Sequence, residues 1–388
     1  MCCGISCGPC GSTQGCVLPF RPAALLTSPH LHIIMQGGWF SVLRRIACIV
    51  CTLACALIVA SAPYVVARLP VPPAGLTALP YEGWSGVLRM RVYQGFRSGS
   101  GSIVPWLNKC LGIYEKRNQG VYVQVETVSA AALGRLLEDE PRPDMLVFTP
   151  GALEDAQGLL ALDMPGGLIP ELAGACAWQQ DRGCVPLCYG GYGLIVNTDA
   201  MESLPNDWAA ALDAQYSAAT RSRRAHYALQ VPGEGAWPQA ARSLLGELPA
   251  EGRLPDDYLQ CSVQKAWQDF ARGDVACIPA SQWHLRRMAL LAAEGKAPAY
   301  RFYPSVSGYT DQYFAAALVD TGLGDAEARA SACRGVIEYL AGEEAQGRLD
   351  LALMLPARAG MRLYPGGGDM TALEEAYLGS AEFKQLFG

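Results

Sequence analysis

Beyond residue 67 the chain offers two histidines, seven cysteines and all 36 of its carboxylates for covalent or acid–base chemistry. His226 stands beside Arg223 and Arg224, and His284 beside Arg286 and Arg287. Neither has a metal-ligand partner at helical spacing, and a lone histidine among arginines reads as a surface residue rather than a base. No GxSxG nucleophile elbow and no GxxxxGK[ST] phosphate loop is present. Cys7-Gly-Pro-Cys10 has CxxC spacing, but a metal or redox site needs a second ligand pair or a strand–helix context, and neither follows. Cys110, Cys277 and Cys333 lie in apolar patterns, where cysteine behaves as a small buried hydrophobe. Cys176 and Cys184 flank WQQDRG and could close a hairpin. Carboxylates are plentiful, but no spacing singles out a pair. The expectation is a protein with no catalytic residues, no metal and no cofactor.

The elements that would position any site begin near residue 86. Val87–Tyr93 alternates in period two, as a strand does. An amphipathic helix is predicted over 103–117, with Trp106, Leu107, Cys110, Leu111 and Tyr114 on one side and Gly120 ending it. Val121–Val128 is a second strand, Ser129 an N-cap, and Asp144–Phe148 a third strand. The apolar, glycine-rich stretch 185–197 follows, then strands at 227–231, 275–279 and 314–319 and helices at 207–214, 236–246, 263–272, 281–294 and 327–341. Short helices at 371–378 and 380–387 close the chain. Alternation of this kind implies an α/β fold with mostly parallel sheets covered by helices. About 300 residues suit two lobes better than one.

The first 81 residues contain no Asp or Glu, and residues 1–67 carry only Arg21, Arg44 and Arg45. Without them the body holds 27 basic and 36 acidic residues, a net charge of −9, which is no footprint for nucleic acid. Residues 46–67 form 22 uncharged, mostly apolar residues behind Arg44-Arg45. At ~1.5 Å per residue this stretch is long enough to span a hydrocarbon core of ~30 Å. Its flanking charge favours an N-in orientation, with the body outside the cytoplasm. The stretch 35–67 is therefore expected to be a signal peptide or membrane anchor. Residues 1–34 read as an N-terminal extension and 68–85 as a proline-rich tether.

Five segments together resemble the extracellular solute-binding proteins of ABC importers, in the sugar-binding group of bilobal type II periplasmic-binding-protein-like proteins. They are Ile113–Val123 (IYEKRNQGVYV), Pro143–Phe148 (PDMLVF), Val185–Asp199 (VPLCYGGYGLIVNTD), Phe270–Pro279 (FARGDVACIP), and Glu338–Gln346 with Leu355–Arg358 (LPAR). They stand in that family's order; the departure is the lack of a clear lipobox. The resemblance implies an N-terminal lobe of 86–190 and 312–345, a C-terminal lobe of 191–311 and 346–388, and a ligand cleft between them. It also implies a carbohydrate or oligosaccharide ligand, ABC permease subunits in the membrane as partners, and a monomer on the outer face of the cytoplasmic membrane or in the periplasm. A receptor for another polar or anionic solute, or a sensing module for a membrane signalling partner, is the alternative.

Cleft residues in such a fold sit on loops at strand carboxyl ends. The first loop supplies Gln94, Phe96 and Arg97 in a Gly/Ser run whose backbone N–H groups could hold an anion or a hydroxyl. Thr149 ends the third strand. Tyr189 and Tyr192 flank Gly190-Gly191 in the crossing between lobes, where they either stack on a sugar ring or pack the hinge. Trp237 follows a strand in a Gly/Pro loop. Gln282 and Trp283 begin a helix that Ser281 caps, and Tyr309 and Asp311 precede the return strand.

Overall fold

A computed structural model describes residues 47–52, 54–55, 57, 84–95, 101–135, 142–180, 182–204, 227–233, 237–238, 241, 261–304, 308–322, 326–379 and 381–387. Two compact units divide the chain, Met1–Leu79 and Pro80–Gly388. The first is described only in its helical residues between 47 and 57, all of them exposed. Most of the apolar stretch 46–67, with the extension and the tether to residue 83, lies outside the described residues. Among those described, no helix is long and apolar enough to cross a membrane.

The second unit opens with β1 (Gly86–Tyr93), α1 (Val104–Arg117), β2 (Val121–Val128), α2 (Ala130–Leu133) and β3 (Met145–Phe148). As the apolar spacing requires, Trp106, Leu107, Cys110 and Leu111 are buried. Gly120 turns the chain at φ +97°, a conformation that costs glycine nothing. The Ser129 side chain accepts from Ala132 N–H and starts α2. Next come β4 (Leu159–Leu160), β5 (Leu162–Asp163), α3 (Pro170–Cys176), β6 (Ala177–Gln179), β7 (Arg182–Gly183), β8 (Val185–Tyr189) and β9 (Tyr192–Asn197). Then follow β10 (Tyr227–Leu229), α4 (Val263–Arg272), β11 (Val275–Ser281), α5 (Gln282–Ala293), β12 (Tyr300–Pro304) and β13 (Tyr309–Thr310). The chain closes with β14 (Tyr313–Val319), α6 (Ala326–Ala341), α7 (Glu343–Gln346), a 3-10 turn at Leu349–Ala352, β15 (Leu355–Pro356), α8 (Asp369–Tyr377) and β16 (Glu382–Phe383). Of the predicted helices, 207–214 and most of 236–246 lie outside the described residues.

Two main sheets result. The first runs β15-β8-β14-β3-β1-β2, with β4 beside β14. Strands β2, β1 and β3 are parallel, β14 enters antiparallel to β3, and β8 pairs antiparallel to β14, so four of the six strands point one way. The second sheet runs β10-β11-β9-β12. Together they make a two-lobed type II binding-protein fold of mixed α/β class. The chain crosses from first sheet to second at Gly190-Gly191 and returns at Asp311-Gln312. Leu355–Pro356 pairs with β8, so the stretch after Gln346 lies on the first sheet before α8 packs beside β12 and α5. A lobe boundary at 346 thus differs from the strand pairing, because β15 completes the edge that β8 leaves open.

Sheet interiors show why the strands read as continuous apolar runs. Every residue of β3, β8, β9, β11 and β14 is buried, as expected where both faces are covered. Asp144 sits at the start of β3, 3% exposed, and its carboxylate accepts from Arg89 N–H (2.6 Å), Arg329 Nε (2.5 Å) and Arg329 Nη2 (3.0 Å). That arrangement satisfies a buried charge and ties α6 to the sheet. Cys176 and Cys184 do face each other across the β6–β7 hairpin, but both thiols are free, and the link is the backbone bond Cys184 N–H to Cys176 O (3.1 Å).

Candidate functional site

Strand register places the site. Tyr189 at the end of β8 pairs with Tyr313 at the start of β14, and Phe148 at the end of β3 pairs with Ala315. The carboxyl ends of β1, β3 and β8 therefore share one edge of the first sheet. In the second sheet Ser281 pairs with Tyr192, Pro304 with Gly193, and Leu229 with Cys277 in parallel. The carboxyl ends of β10, β11 and β12 thus share the edge where β9 begins. The two edges meet at the crossing, the place where open α/β sheets bind ligands.

On the first-lobe side, the Thr149 hydroxyl accepts from Gly95 N–H (3.2 Å) and joins the loops after β1 and β3. Gln94 Oε1 accepts from Ile103 N–H (3.1 Å), which closes the loop onto the start of α1. Phe96 and Arg97 lie outside the described residues. At the crossing, Gln312 O accepts from Gly190 N–H (2.5 Å) and Gly190 O from the Thr310 hydroxyl (2.9 Å), so both connections are pinned together. Tyr377 bolts them from α8: its hydroxyl accepts from Tyr192 N–H (2.8 Å) and donates to Tyr309 O (3.0 Å).

The crossing presents two faces, because side chains alternate along extended backbone. Gly190 faces Gln282, and Gly191 faces Tyr377 and Leu373; in both places a Cβ would overlap a neighbour. Tyr189 shares the Gly191 face and packs edge-on to Phe383 at 5.3 Å. It borders a cavity of about 210 Å³, also lined by Ile169, Pro356, Arg358, Glu374 and Tyr377. The remaining predicted residues gather near the Gly190 face and the second sheet's edge. Gln282 Oε1 accepts from Gly191 N–H (3.2 Å), and its Nε2 points at Met354 Sδ (3.1 Å). Trp283 Nε1 donates to Ala352 O (2.9 Å). The Tyr192 hydroxyl donates to Asp311 Oδ1 (2.5 Å); burial first, and then the adjacent carboxylate, holds this phenol well above its ordinary pKa. Trp237 stacks edge-on against Tyr192 (4.8 Å) and against His284 (5.4 Å).

Nine of the eleven predicted residues are thus described, and six of these are buried: Thr149, Tyr189, Tyr192, Trp237, Gln282 and Trp283. Gln94, Tyr309 and Asp311 are half-buried. His284 departs from expectation: it is 1% exposed rather than on the surface. Its Nδ1 accepts from Ser281 N–H (3.2 Å), which turns the ring inward at the first turn of α5 and leaves the outer positions to Arg286 and Arg287. Burial, aided by Arg287, lowers its pKa to about 3, so the imidazole is neutral at physiological pH. Two buried amide oxygens, Gln230 Oε1 beside the end of β10 and Gln312 Oε1 at the return crossing, have no hydrogen-bond partner among the described residues. Sequence reading missed both, together with Gly101, Met354 and Tyr377. The Gly/Ser run around Gly101 carried a signal, whereas Met354 and Tyr377 meet the site across 72 and 185 residues of chain.

Burial pushes the thiol of Cys110 up to about 11 and that of Cys333 up to about 12. Among the described residues no three His, Cys, Asp or Glu side chains converge on a common point that could hold a metal ion.

No family model matches the chain, and no curated protein matches it by sequence. Solved structures do match in fold. The GacH receptor of Streptomyces glaucescens, studied unliganded and in complex with acarbose, superposes with a TM-score of 0.58 at 15% identity, covering 78% of this chain and 89% of that one. The sugar-binding protein MalE of Xanthomonas citri gives 0.53 at 15% identity, covering 78% and 87%. Thiaminase I of Bacillus thiaminolyticus gives 0.52 at 14% identity, covering 78% and 95%.

Proposed function

We propose that this chain is an extracytoplasmic receptor that binds a carbohydrate between its lobes and presents it to the membrane permease of an ABC importer. The observation that carries this reading is the chemistry where the two sheet edges meet. Aromatic rings (Trp237, Trp283), an amide (Gln282) and a carboxylate (Asp311) stand along these edges and the crossings, with the unpartnered oxygens of Gln230 after β10 and Gln312 at the return crossing. An unpaired buried acceptor is costly, and a hydroxyl-rich ligand supplies donors to such groups. Aromatic faces and amides are a natural lining for a sugar, apolar on its ring faces and polar at its rim. The sugar-binding proteins that share this fold support the choice of ligand class. The acid-free leader and its Arg-flanked apolar stretch support a place outside the cytoplasm.

Thiaminase I shares the fold, so side chains must decide between binding and catalysis. The described histidine is buried and neutral, and the thiols of Cys110 and Cys333 are held far from ionising, which supports binding. A thermal-shift screen over mono- and oligosaccharides, amino acids and phosphate tests the reading. A sugar at 100 times its Kd adds about 2.7 kcal/mol of stability. A shift with phosphate or an amino acid and none with any sugar overturns the carbohydrate assignment.

A further inference from the structure

The crossing at Gly190-Gly191 has a second face, which holds Tyr189 and Tyr377 where the first holds Gln282. The cavity of about 210 Å³ lies on this second face, between the end of β8, the start of α3, β15 and α8. At ~30 Å³ per water it has room for about seven water-sized groups, so its ligand is small. Ile169, Pro356 and Met361 supply apolar wall, and the rings of Tyr189 and Tyr377 line it too. Glu171, Ala359 and Gly360 are exposed and mark its rim.

Two polar groups in the wall lack the partners that buried groups ordinarily have. Tyr189 is 2% exposed, and its hydroxyl makes no hydrogen bond among the described residues. Burial, and then the charge of Glu374, holds this phenol well above its ordinary pKa, so it keeps its proton and can donate. Glu374 is also 2% exposed. Its carboxylate accepts from Leu363 N–H (2.7 Å) and Tyr364 N–H (3.2 Å), and no cation pairs with it among the described residues. Asp144, at 3%, has Arg329. Buried charges are as a rule paired. Glu374 also stands in the last turn of α8, where the helix dipole adds negative potential and favours a cation. Arg358 is the one cation of the lining among the described residues, and its guanidinium is engaged elsewhere. Nη1 donates to Gly166 O (3.4 Å) and Ala341 O (3.5 Å), and Nη2 faces Glu343 (3.5 Å).

We propose that this cavity is a second ligand site, for a small alkylammonium ion: Glu374 balances its charge, the Tyr189 and Tyr377 rings flank its alkyl groups, and the Tyr189 hydroxyl meets a polar atom of the ligand. A carboxylate set among aromatic rings favours an organic cation over a neutral molecule of the same shape. An anion would be repelled by Glu374, and a neutral solute would leave its charge unanswered. The site lies on the opposite face of the crossing from Gln282, so it does not depend on the proposed sugar or on its identity.

Titration calorimetry of the full chain with choline and with neohexyl alcohol, its uncharged carbon isostere, tests it. Choline is expected to bind about tenfold more tightly or better in the wild type. In Glu374→Gln that preference collapses to about twofold or less, because the charge it reads is gone. Ala381→Phe fills the cavity without touching the Glu374 bonds and abolishes binding of both probes, with far-UV circular dichroism confirming the fold; it serves should Glu374→Gln fail to fold. The site is overturned if the wild type binds neither probe or both alike, if acetate binds more tightly than choline, or if choline binding survives Ala381→Phe. A sugar screen that fails leaves the choline result standing, so the two readings fall separately.

Discussion

Tyr377→Phe removes one oxygen from the point where three segments meet. In the native chain that hydroxyl accepts from Tyr192 N–H at 2.8 Å and donates to Tyr309 O at 3.0 Å, joining the outgoing crossing, the return crossing and α8. Tyr192 is 1% exposed, so bulk solvent does not reach the N–H that loses its acceptor. A buried donor left unsatisfied costs about 1–3 kcal/mol, and the second bond about 1 kcal/mol more. The expected loss is therefore about 2–4 kcal/mol, within the range seen when a buried hydrogen-bond network is broken. The cavity beside Tyr377 tempers this only if water enters it and reaches Tyr192 N–H. Urea denaturation followed by far-UV circular dichroism measures the difference. Tyr122→Phe is the control, because Tyr122 is 60% exposed on β2 and should change stability by no more than ~0.5 kcal/mol. Equal stabilities for the two variants would refute the reasoning and show that the crossings are held by other contacts.

Two further outcomes are expected. Arg329→Ala strands the Asp144 carboxylate in the first sheet and should cost about 3–5 kcal/mol in the same urea assay; a loss under 1 kcal/mol would mean the ion pair contributes little. His284 has a folded pKa of about 3 against about 6.5 unfolded, so its contribution is complete above pH 6.5 and is lost as pH falls toward 3. His284→Gln should flatten that part of the stability–pH curve, and an unchanged slope would show that the histidine is not its source.

Particular residues show what was legible from the chain alone. Helix α1 could be read from Trp106, Leu107, Cys110 and Leu111, since a 3.6-residue period needs only local spacing. Ser129 and Gly120 were readable because caps and turns are local chemistry. The outgoing crossing at Gly190-Gly191 was legible through the resemblance that the stretch Val185–Asp199 carries, and the return crossing from the strand expected after Asp311. His284 was misjudged because its arginine neighbours are visible in sequence, whereas the inward turn of its ring depends on Ser281 and on the rings of Trp237 and Trp267 around it. Trp283 was chosen for its place at a helix start after a strand, but nothing local told that it packs against Gly101.

By itself the sequence determined the class of fold, the glycine pair between two apolar strands and the acid-free leader that sets the body apart. Each is a matter of period, turn chemistry or charge count along neighbouring residues. Only the tertiary structure decided which aromatic residues face one another, which carbonyl receives the Trp283 indole and which amide oxygens are left without partners. Those depend on pairs such as Trp283 with Ala352 and Tyr192 with Tyr377, separated by 69 and 185 residues. No local pattern encodes them, because burial and strand register act on the whole chain at once.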